Sequence, residues 1–433
     1  MLRTLLFCAL LPLPASGTQV ADSTVMLPPL TVTASRLPVS IVEAPVRTQL
    51  LDRSDILESG SRTVADLLGQ RAALYVRHYA GGLSTLSQRG GTASQTLLLL
   101  DGHRIASPQL GQLDLSLLPT VLLDAVEITS SAGGALYGTD AMGGVVNLRT
   151  APAENLLSIH AGVGAFGNRN AALRATARIG QLTGSMAAQV NRFEGNYPYW
   201  NPGVFPPRDT PREGGDQHKR DVLGALTWAR TLSEWRISAW YSDAERGLPA
   251  IYSTIPTGER QWDKHVRIWT HGRRTWTWGS VKVSSLAQLG ALRYLNPQIR
   301  IDNTGRTFIS TTQLNLDLAP VRAWRFGVGL EAGYGLAQHP SLNEESREHH
   351  FAAHVHATRR WGRVTVYPSV RFDHYVRTSK AQPVSPRLGL NIRLFRGFHA
   401  KSSLARAFRM PTFNDRFWQP GGNPDLSLSL IHI

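Results

Sequence analysis

From residue 153 onward, apolar and polar residues alternate one by one in segment after segment. Gln313-Leu314-Asn315-Leu316-Asp317-Leu318 and Arg387-Leu388-Gly389-Leu390-Asn391-Ile392-Arg393-Leu394 alternate cleanly, and Val364–Asp373, Leu157–Ala165 and Trp235–Tyr241 do so less strictly. Successive side chains of a strand point to opposite faces, so a period of two predicts strands with one apolar and one polar face. About a dozen such segments follow one another, with no helical period between them. Asn191–Gln217 predicts a long loop rich in Pro, Gly and Arg, while Tyr199, Trp200, Trp235, Trp269, Trp276 and Trp278 fall near predicted strand ends. An apolar exterior, a polar lumen, aromatic belts and long loops together predict a transmembrane antiparallel β-barrel. A bilayer demands closure, because an open strand edge in hydrocarbon leaves backbone groups unpaired.

Residues 36–152 have another texture and predict a small mixed α+β domain. Ser54 and Ser61 are expected to cap short helices, Asp55–Glu58 and Arg62–Leu68. Thr96–Leu100 and Val121–Ile128 read as buried strands, with turns at Asp101-Gly102 and Gly133-Gly134. The glycines at 138, 143 and 144 allow tight turns and close backbone approach, and Asp140 and Arg89 are candidates for buried charge pairs.

Composition narrows the function classes. The chain has 433 residues, 42% hydrophobic and 18% charged, which excludes a disordered or fibrous protein. Its net charge of +15 falls almost wholly on residues 153–433 and comes mainly from arginine. Such a surface could attract nucleic acid, but no nucleic-acid-binding module accompanies it, so no nucleic-acid partner is expected. At the amino end, Arg3, the apolar run Leu5–Leu13 and Ala15-Ser16-Gly17 predict an export signal over residues 1–17. Cys8, the only cysteine, lies inside it, which excludes disulfides, cysteine-based zinc sites and thiol catalysis in the mature chain. No HExxH, nucleophile elbow or supported carboxylate pair occurs, so neither an enzyme nor a cofactor is expected. Gly162–Gly167 matches G-x-G-x-x-G but lacks the helix and downstream acid of a dinucleotide site, and predicts a hairpin turn. His350, His354 and His356 would share one strand face with His349 on the other; they read as polar lumen rather than as a metal site.

Several motifs then resemble one family. Gln88-Arg89-Gly90-Gly91, followed by Thr96–Ile105 with Asp101-Gly102-His103-Arg104, resembles the "RG…LVLIDGVRL" stretch of TonB-dependent receptor plug domains. Ala135-Leu136-Tyr137-Gly138-Thr139-Asp140-Ala141-Met142-Gly143-Gly144-Val145-Val146-Asn147-Leu148 resembles the plug's closing "LYGSDAIGGVINI". Leu30-Thr31-Val32-Thr33-Ala34 resembles a TonB box, and Phe408-Arg409-Met410-Pro411 and Asn423-Pro424-Asp425-Leu426 resemble the FRAP and NPNL motifs. The closest likeness within the family is to vitamin B12 and siderophore receptors. Haem is disfavoured, since Thr412–Gly422 lacks the histidine of the family's haem receptors. Ala72-Ala73 stands where the family usually has Pro-Gly.

The resemblance implies residues 18–35 as a periplasmic extension carrying the box, 36–152 as the plug and 153–433 as barrel. It implies a receptor in the outer membrane of a Gram-negative bacterium, embedded in lipid, taking up an iron-siderophore or cobalamin with energy from periplasmic TonB. Box pairing would be strand addition, helped by Pro28 and Pro29, which disfavour helix. Ligand contacts are expected from plug loops, with Arg77, His78, Tyr79 and Arg104 as candidates, and the arginine-rich barrel points to an anionic ligand. The family's plugged barrel has 22 strands of about ten residues each. With Asn191–Gln217 taking one long connection, residues 153–433 hold about 12–13 of them, so an incomplete, unclosed barrel is expected. The alternative is a surface protein or receptor remnant that does not transport.

Overall fold

The structure is a computed structural model that describes residues 31–32, 39–72, 74–79, 82–150, 156–249, 257–321, 323–342, 346–377, 383–395, 397–426 and 429–432. The expected export signal (1–17), Leu30, Thr33, Ala34 and Ala73 lie outside the described residues.

The amino-terminal part contains β1 (Thr31–Val32), β2 (Val39–Ser40), β3 (Thr48–Leu51), α1 (Arg53–Glu58), α2 (Val64–Arg71), β4 (Tyr75–His78) and β5 (Ser84–Ser87). It continues with β6 (Thr96–Leu100), β7 (His103–Arg104), β8 (Ala125–Thr129), α3 (Gly134–Tyr137) and β9 (Gly144–Arg149). Five strands form one sheet in the order β3-β8-β9-β6-β7, with β6 and β9 parallel. A strand buried on both faces needs apolar side chains in both directions. The unbroken run Leu97–Leu100 supplies them, and Leu98, Leu100, Val126, Ile128, Val146 and Leu148 pack with Leu67 and Leu68 of α2. Two local expectations fail. Asp52 and Thr63, not Ser54 and Ser61, cap the helices, because each places its side-chain oxygen on the amides of the first turn. Strand β8 begins at Ala125, since Thr120–Leu122 turns as a 3₁₀ segment first.

The rest is β10 (Leu156–Gly164), β11 (Asn168–Ile179), β12 (Leu182–Phe193), β13 (Pro198–Asn201), β14 (Arg208–Pro211), β15 (Gln217–Arg230) and β16 (Ser233–Gly247). Then come β17 (Arg260–Trp276), β18 (Gly279–Asn296), β19 (Ile301–Leu318), β20 (Trp324–Gln338), β21 (Ser346–Trp361) and β22 (Val364–Tyr375). The last elements are β23 (Val384–Phe395), β24 (Phe398–Arg409), α4 (Phe413–Phe417) and β25 (Ser429–His432). Apart from β13 and β14, which form a small hairpin inside the long loop, these strands make one 14-stranded sheet in sequence order, every neighbour antiparallel. Strands β10 and β25 are its edges, and among the described residues they do not pair with each other. The sheet is open, as expected from the strand count. Among the described residues no helix is long and apolar enough to cross a membrane.

The period of two decides which residues meet the plug. On β21, Glu348, His354 and His356 point inward and are buried, while His349, Phe351 and Val355 face outward. Outward Leu314, Leu330, Val370, Phe372 and Leu388 are exposed. So large an apolar surface suits contact with lipid rather than water. Short turns (180–181, 231–232, 277–278, 362–363) mark one end, and long connections (194–216, 248–259) mark the other. Trp228, Trp235, Trp276, Trp278, Trp324 and Trp361 ring the short-turn end. Trp269 corrects the girdle expectation: it sits mid-strand, points inward and is 1% exposed. Tyr199 and Trp200 lie on the β13–β14 hairpin rather than in a belt. Gly162–Gly167 closes the β10–β11 hairpin.

Candidate functional site: the plug–barrel contact and its cavities

The plug motifs converge where the small domain meets the lumen wall. Asp101-Gly102 joins β6 to β7 with φ of 46° and 87°, both left-handed, as a two-residue hairpin turn requires. The Asp101 carboxylate accepts from the Thr150 amide (2.9 Å), the Thr150 hydroxyl (2.5 Å) and the Trp269 indole N–H (3.0 Å). Gly102 N–H donates to Asn147 Oδ1 at 2.9 Å. Three motif residues therefore tie a turn, a neighbouring strand and the barrel wall together. Asp101→Ala leaves at least two of these donors without a partner and is expected to cost about 2–3 kcal/mol, read from urea unfolding in detergent.

The second motif builds the opposite contact. Helix α3 presses Gly134 against β24, where a Cβ would lie 2.9 Å from Arg406 O. Leu136 is buried beneath it. Asp140, at φ 68°, forms an ion pair with Arg104 and accepts from the Thr139 hydroxyl at 2.8 Å. Arg104 also donates to the carbonyls of Thr139 (2.7 Å) and Tyr137 (3.3 Å). Burial pushes the Asp140 carboxyl up, against the pull of Arg104. The expectation of a charge pair thus holds for Asp140, half-buried and paired with Arg104. Arg89 is exposed, at φ 54° in a turn with Gly90; its neighbour Gln88 is the buried one, donating to Ser130 Oγ at 2.9 Å. Gly143 and Gly144 approach the Gln88 carbonyl and the Thr129 carbonyl too closely for any Cβ.

Opposite Gly138, the barrel presents a charge cluster that motif reading did not find. Arg371, fully buried, donates to Asp373 (2.9 Å) and Glu331 (3.2 Å), and His350 Nε2 lies 2.8 Å from Asp373. A Cβ at Gly138 would stand 3.1 Å from the Arg371 guanidinium, so the motif glycine is the contact itself. These residues occupy inward positions on β20, β21 and β22; parity could have nominated them, but only register shows that they meet.

Two cavities open at the long-loop end. One of about 160 Å³ is lined by Arg104, Tyr137, Asp140, Glu331, His350 and Arg371, among others. The other, of about 480 Å³, lies between Gln109–Leu113 of the plug and Arg246, Tyr294, His339 and Trp418. Every arginine of the first cavity has a carboxylate partner: Arg104 with Asp140, Arg371 with Glu331 and Asp373, Arg416 with Glu348. Of the candidate ligand contacts, Arg104 lines a cavity wall. Arg77, His78 and Tyr79 are on the exposed tip of the β4–β5 hairpin, where Arg77 donates to Tyr79 O–H at 3.3 Å and holds its phenol below the usual range.

Further polar contacts tie the plug to β11 and β16. Arg174 pairs with Asp124 (2.9 Å), Arg246 with Asp114 (2.7 Å), and Arg236 donates to Thr150 O (3.1 Å). The incoming chain lies at the short-turn end: Tyr367 O–H donates to Glu43 O (2.7 Å) and Lys401 to Ile41 O (2.8 Å). There β1 pairs with β2 through two residues, Thr31 with Ser40 and Val32 with Val39.

Comparison with known proteins agrees with this architecture. Residues 40–145 match the TonB-dependent Receptor Plug Domain, and residues 160–427 match the TonB dependent receptor-like beta-barrel. The vitamin B12 transporter BtuB of Vibrio vulnificus is 24% identical over 421 residues, 91% of this chain and 64% of its own length. That of Photobacterium profundum is 27% identical over 58% of this chain and 41% of its own. Among solved structures, a mutant ferric enterobactin receptor of Pseudomonas aeruginosa superposes with a TM-score of 0.68 at 16% identity, covering 85% of this chain and 62% of that one. The siderophore receptor PiuA of Acinetobacter baumannii gives 0.68 at 12% identity, over 91% and 68%. The chain thus spans less than two-thirds of the length of the vitamin B12 transporters it matches. With a plug and a receptor barrel matched in order over most of its length, the chain belongs to the TonB-dependent receptor family.

Proposed function

We propose that this protein is an outer-membrane receptor of a Gram-negative bacterium for energy-coupled uptake of a scarce, bulky ligand, a cobalamin or a ferric siderophore. The observation that carries the reading is the polarity of the plug. Its motif loops line cavities at the long-loop end, while its amino-terminal stretch sits at the short-turn end. Ligand would enter from one side and a pulling partner would grip the other. The relatives that transport vitamin B12, and the siderophore receptors that share the fold, support both ligand classes.

Charge pairing bears on the choice. Each arginine of the smaller cavity already has a carboxylate, so an anionic siderophore would have to displace one. The pairing favours a ligand with little net charge, of the cobalamin kind, over the anionic one that composition pointed to. Arg104 is the proposed contact in the cavity; Arg77, His78 and Tyr79 are proposed as first contacts at the exposed tip.

TonB is the proposed partner at Leu30–Ala34. Strand addition there must replace the two-residue β1–β2 ladder, which is weak enough to exchange for a longer edge. Val32→Pro removes the amide donor that such pairing needs. Uptake is expected to fall about tenfold or more while surface binding of ligand is retained; unchanged uptake would remove the box from the account.

A further inference from the structure

Arginines and carboxylates match in the smaller cavity, so the barrel's net charge lies elsewhere, and part of it collects at the short-turn end of the lumen. Arg325 of β20, Arg360 of β21, Arg393 of β23 and Lys401 of β24 are all exposed there. By strand parity they point inward, in step with the buried residues Ala337, His356, Asn391 and Ala405. Register keeps them in one row. Arg360 lies opposite Thr365, Thr365 opposite Asn391 and Asn391 opposite Lys401, with Arg325 and Arg393 each within two residues of that line. Neighbouring strands are about 4.8 Å apart, so the row spans roughly 19 Å.

Among the described residues, one carboxylate pairs with this row. Glu43, on the incoming chain, meets Arg360 at 3.3 Å, both side chains 50% exposed. Lys401 donates to the Ile41 carbonyl, and among the described residues the guanidinium groups of Arg325 and Arg393 form no ion pair or hydrogen bond. The same end of β18 and β19 carries a matched pair instead, Lys282 with Asp317 at 2.6 Å. An exposed pair such as Glu43 with Arg360 contributes little, so a segment with more carboxylates can replace it. Direction and length narrow the occupant. Inward-facing cations do not meet the headgroups of lipid on the outer wall, and a row of this length exceeds any single phosphate or carboxylate. An extended peptide sets alternate side chains about 7 Å apart on one face, which suits cations spread along such a row.

We infer that Arg325, Arg360, Arg393 and Lys401 dock an acidic, extended segment of the periplasmic protein that takes the box; the inference rests on the reading of Leu30–Ala34 as that protein's site. Glu43 already seats a carboxylate of an incoming chain on Arg360, and the docked segment repeats that contact along the row. The row stands beside residues 41–44, whose carbonyls accept from Lys401, Asn391 and Tyr367. A partner steered there by opposite charge arrives next to the strand it must grip.

The test uses the full chain in neutral detergent micelles, with no transport ligand present. Affinity is measured for a labelled peptide of alternating Glu and Ser and for its Gln and Ser counterpart. The Glu peptide is expected to bind about tenfold more tightly, and added salt should erode the difference. Arg325→Gln/Arg393→Gln should lose about tenfold in affinity for it, whereas Arg208→Gln/Arg220→Gln, at the long-loop end, should lose nothing. Glu43→Gln should bind it about threefold more tightly, since the competing carboxylate is gone; a merely structural role for Glu43 would not move affinity upward. Equal affinity for the two peptides overturns the proposal, as does an equal loss in both double variants, which would make the attraction a property of the whole basic surface. Displacement of the peptide by micelles of anionic phospholipid would assign the row to lipid and also overturn it. The two-peptide comparison needs no variant and stands even if a substituted chain does not fold. If Val32→Pro leaves uptake unchanged while the Glu peptide still binds as expected, the box reading fails and the acidic-segment site does not.

Discussion

Replacing Arg371 with Met is expected to destabilise the protein by about 3–5 kcal/mol, because it strips the counter-charge from two buried carboxylates. Arg371 is 1% exposed as a residue, holds Glu331 and Asp373 within 3.2 Å, and faces the motif glycine Gly138. Met fills a similar length but offers no donor, so both acids would face each other with only His350 between them. Urea unfolding in detergent, followed by tryptophan fluorescence, reads the loss. Adding Glu331→Gln and Asp373→Asn removes the uncompensated charge and should recover a large part of it. A single variant within about 1 kcal/mol of the parent would mean that water already satisfies the cluster.

Gly144→Val should be comparably severe for a different reason. An added Cβ at Gly144 would lie 2.1 Å from Gln88 Oε1 and 2.5 Å from the Thr129 carbonyl. The side chain of Gln88 could swing away, but Thr129 is backbone of β8, held in register against Val145. The strands must separate, so a loss of at least about 3 kcal/mol is expected, confined to the plug. Protease should then cut residues 40–150 while the barrel fragment persists. Gly102 is the control: it has φ of 87° but nothing within 4 Å of an added Cβ, so Gly102→Ala meets only backbone strain, about 1 kcal/mol. Equal costs at the two glycines would contradict the contact argument.

Much of the architecture was legible because β structure writes its period into sequence. The alternation at Gln313–Leu318 and Arg387–Leu394 lies within β19 and β23, and Thr96–Leu100 is β6 to the residue. The Asp101-Gly102 turn was readable for the same local reason, since few residues tolerate two left-handed positions in a row. What parity cannot say is height or partner. Trp269 reads like the tryptophans of the short-turn belt, yet it faces Asp101 inside the lumen. Arg89 and Gln88 are adjacent, so burial of one exposes the other, and only the fold decides which. Asp140 meets Arg104 across 36 residues, and Glu331 meets Arg371 across 40. Pairings at that range depend on strand register, which no local pattern encodes. The paired state of the cavity arginines was hidden for the same reason, and it changes the ligand reading that net charge alone supported.

The most direct test of the central claim is accumulation of labelled cyanocobalamin, with a ferric siderophore in parallel, by cells expressing this chain as their only such receptor. With the inner-membrane proton gradient intact, one of the two ligands should accumulate inside. With the gradient collapsed by a protonophore, the same ligand should stay bound at the surface and not enter. Accumulation that ignores the protonophore, or the absence of surface binding for both ligands, would contradict an energy-coupled receptor.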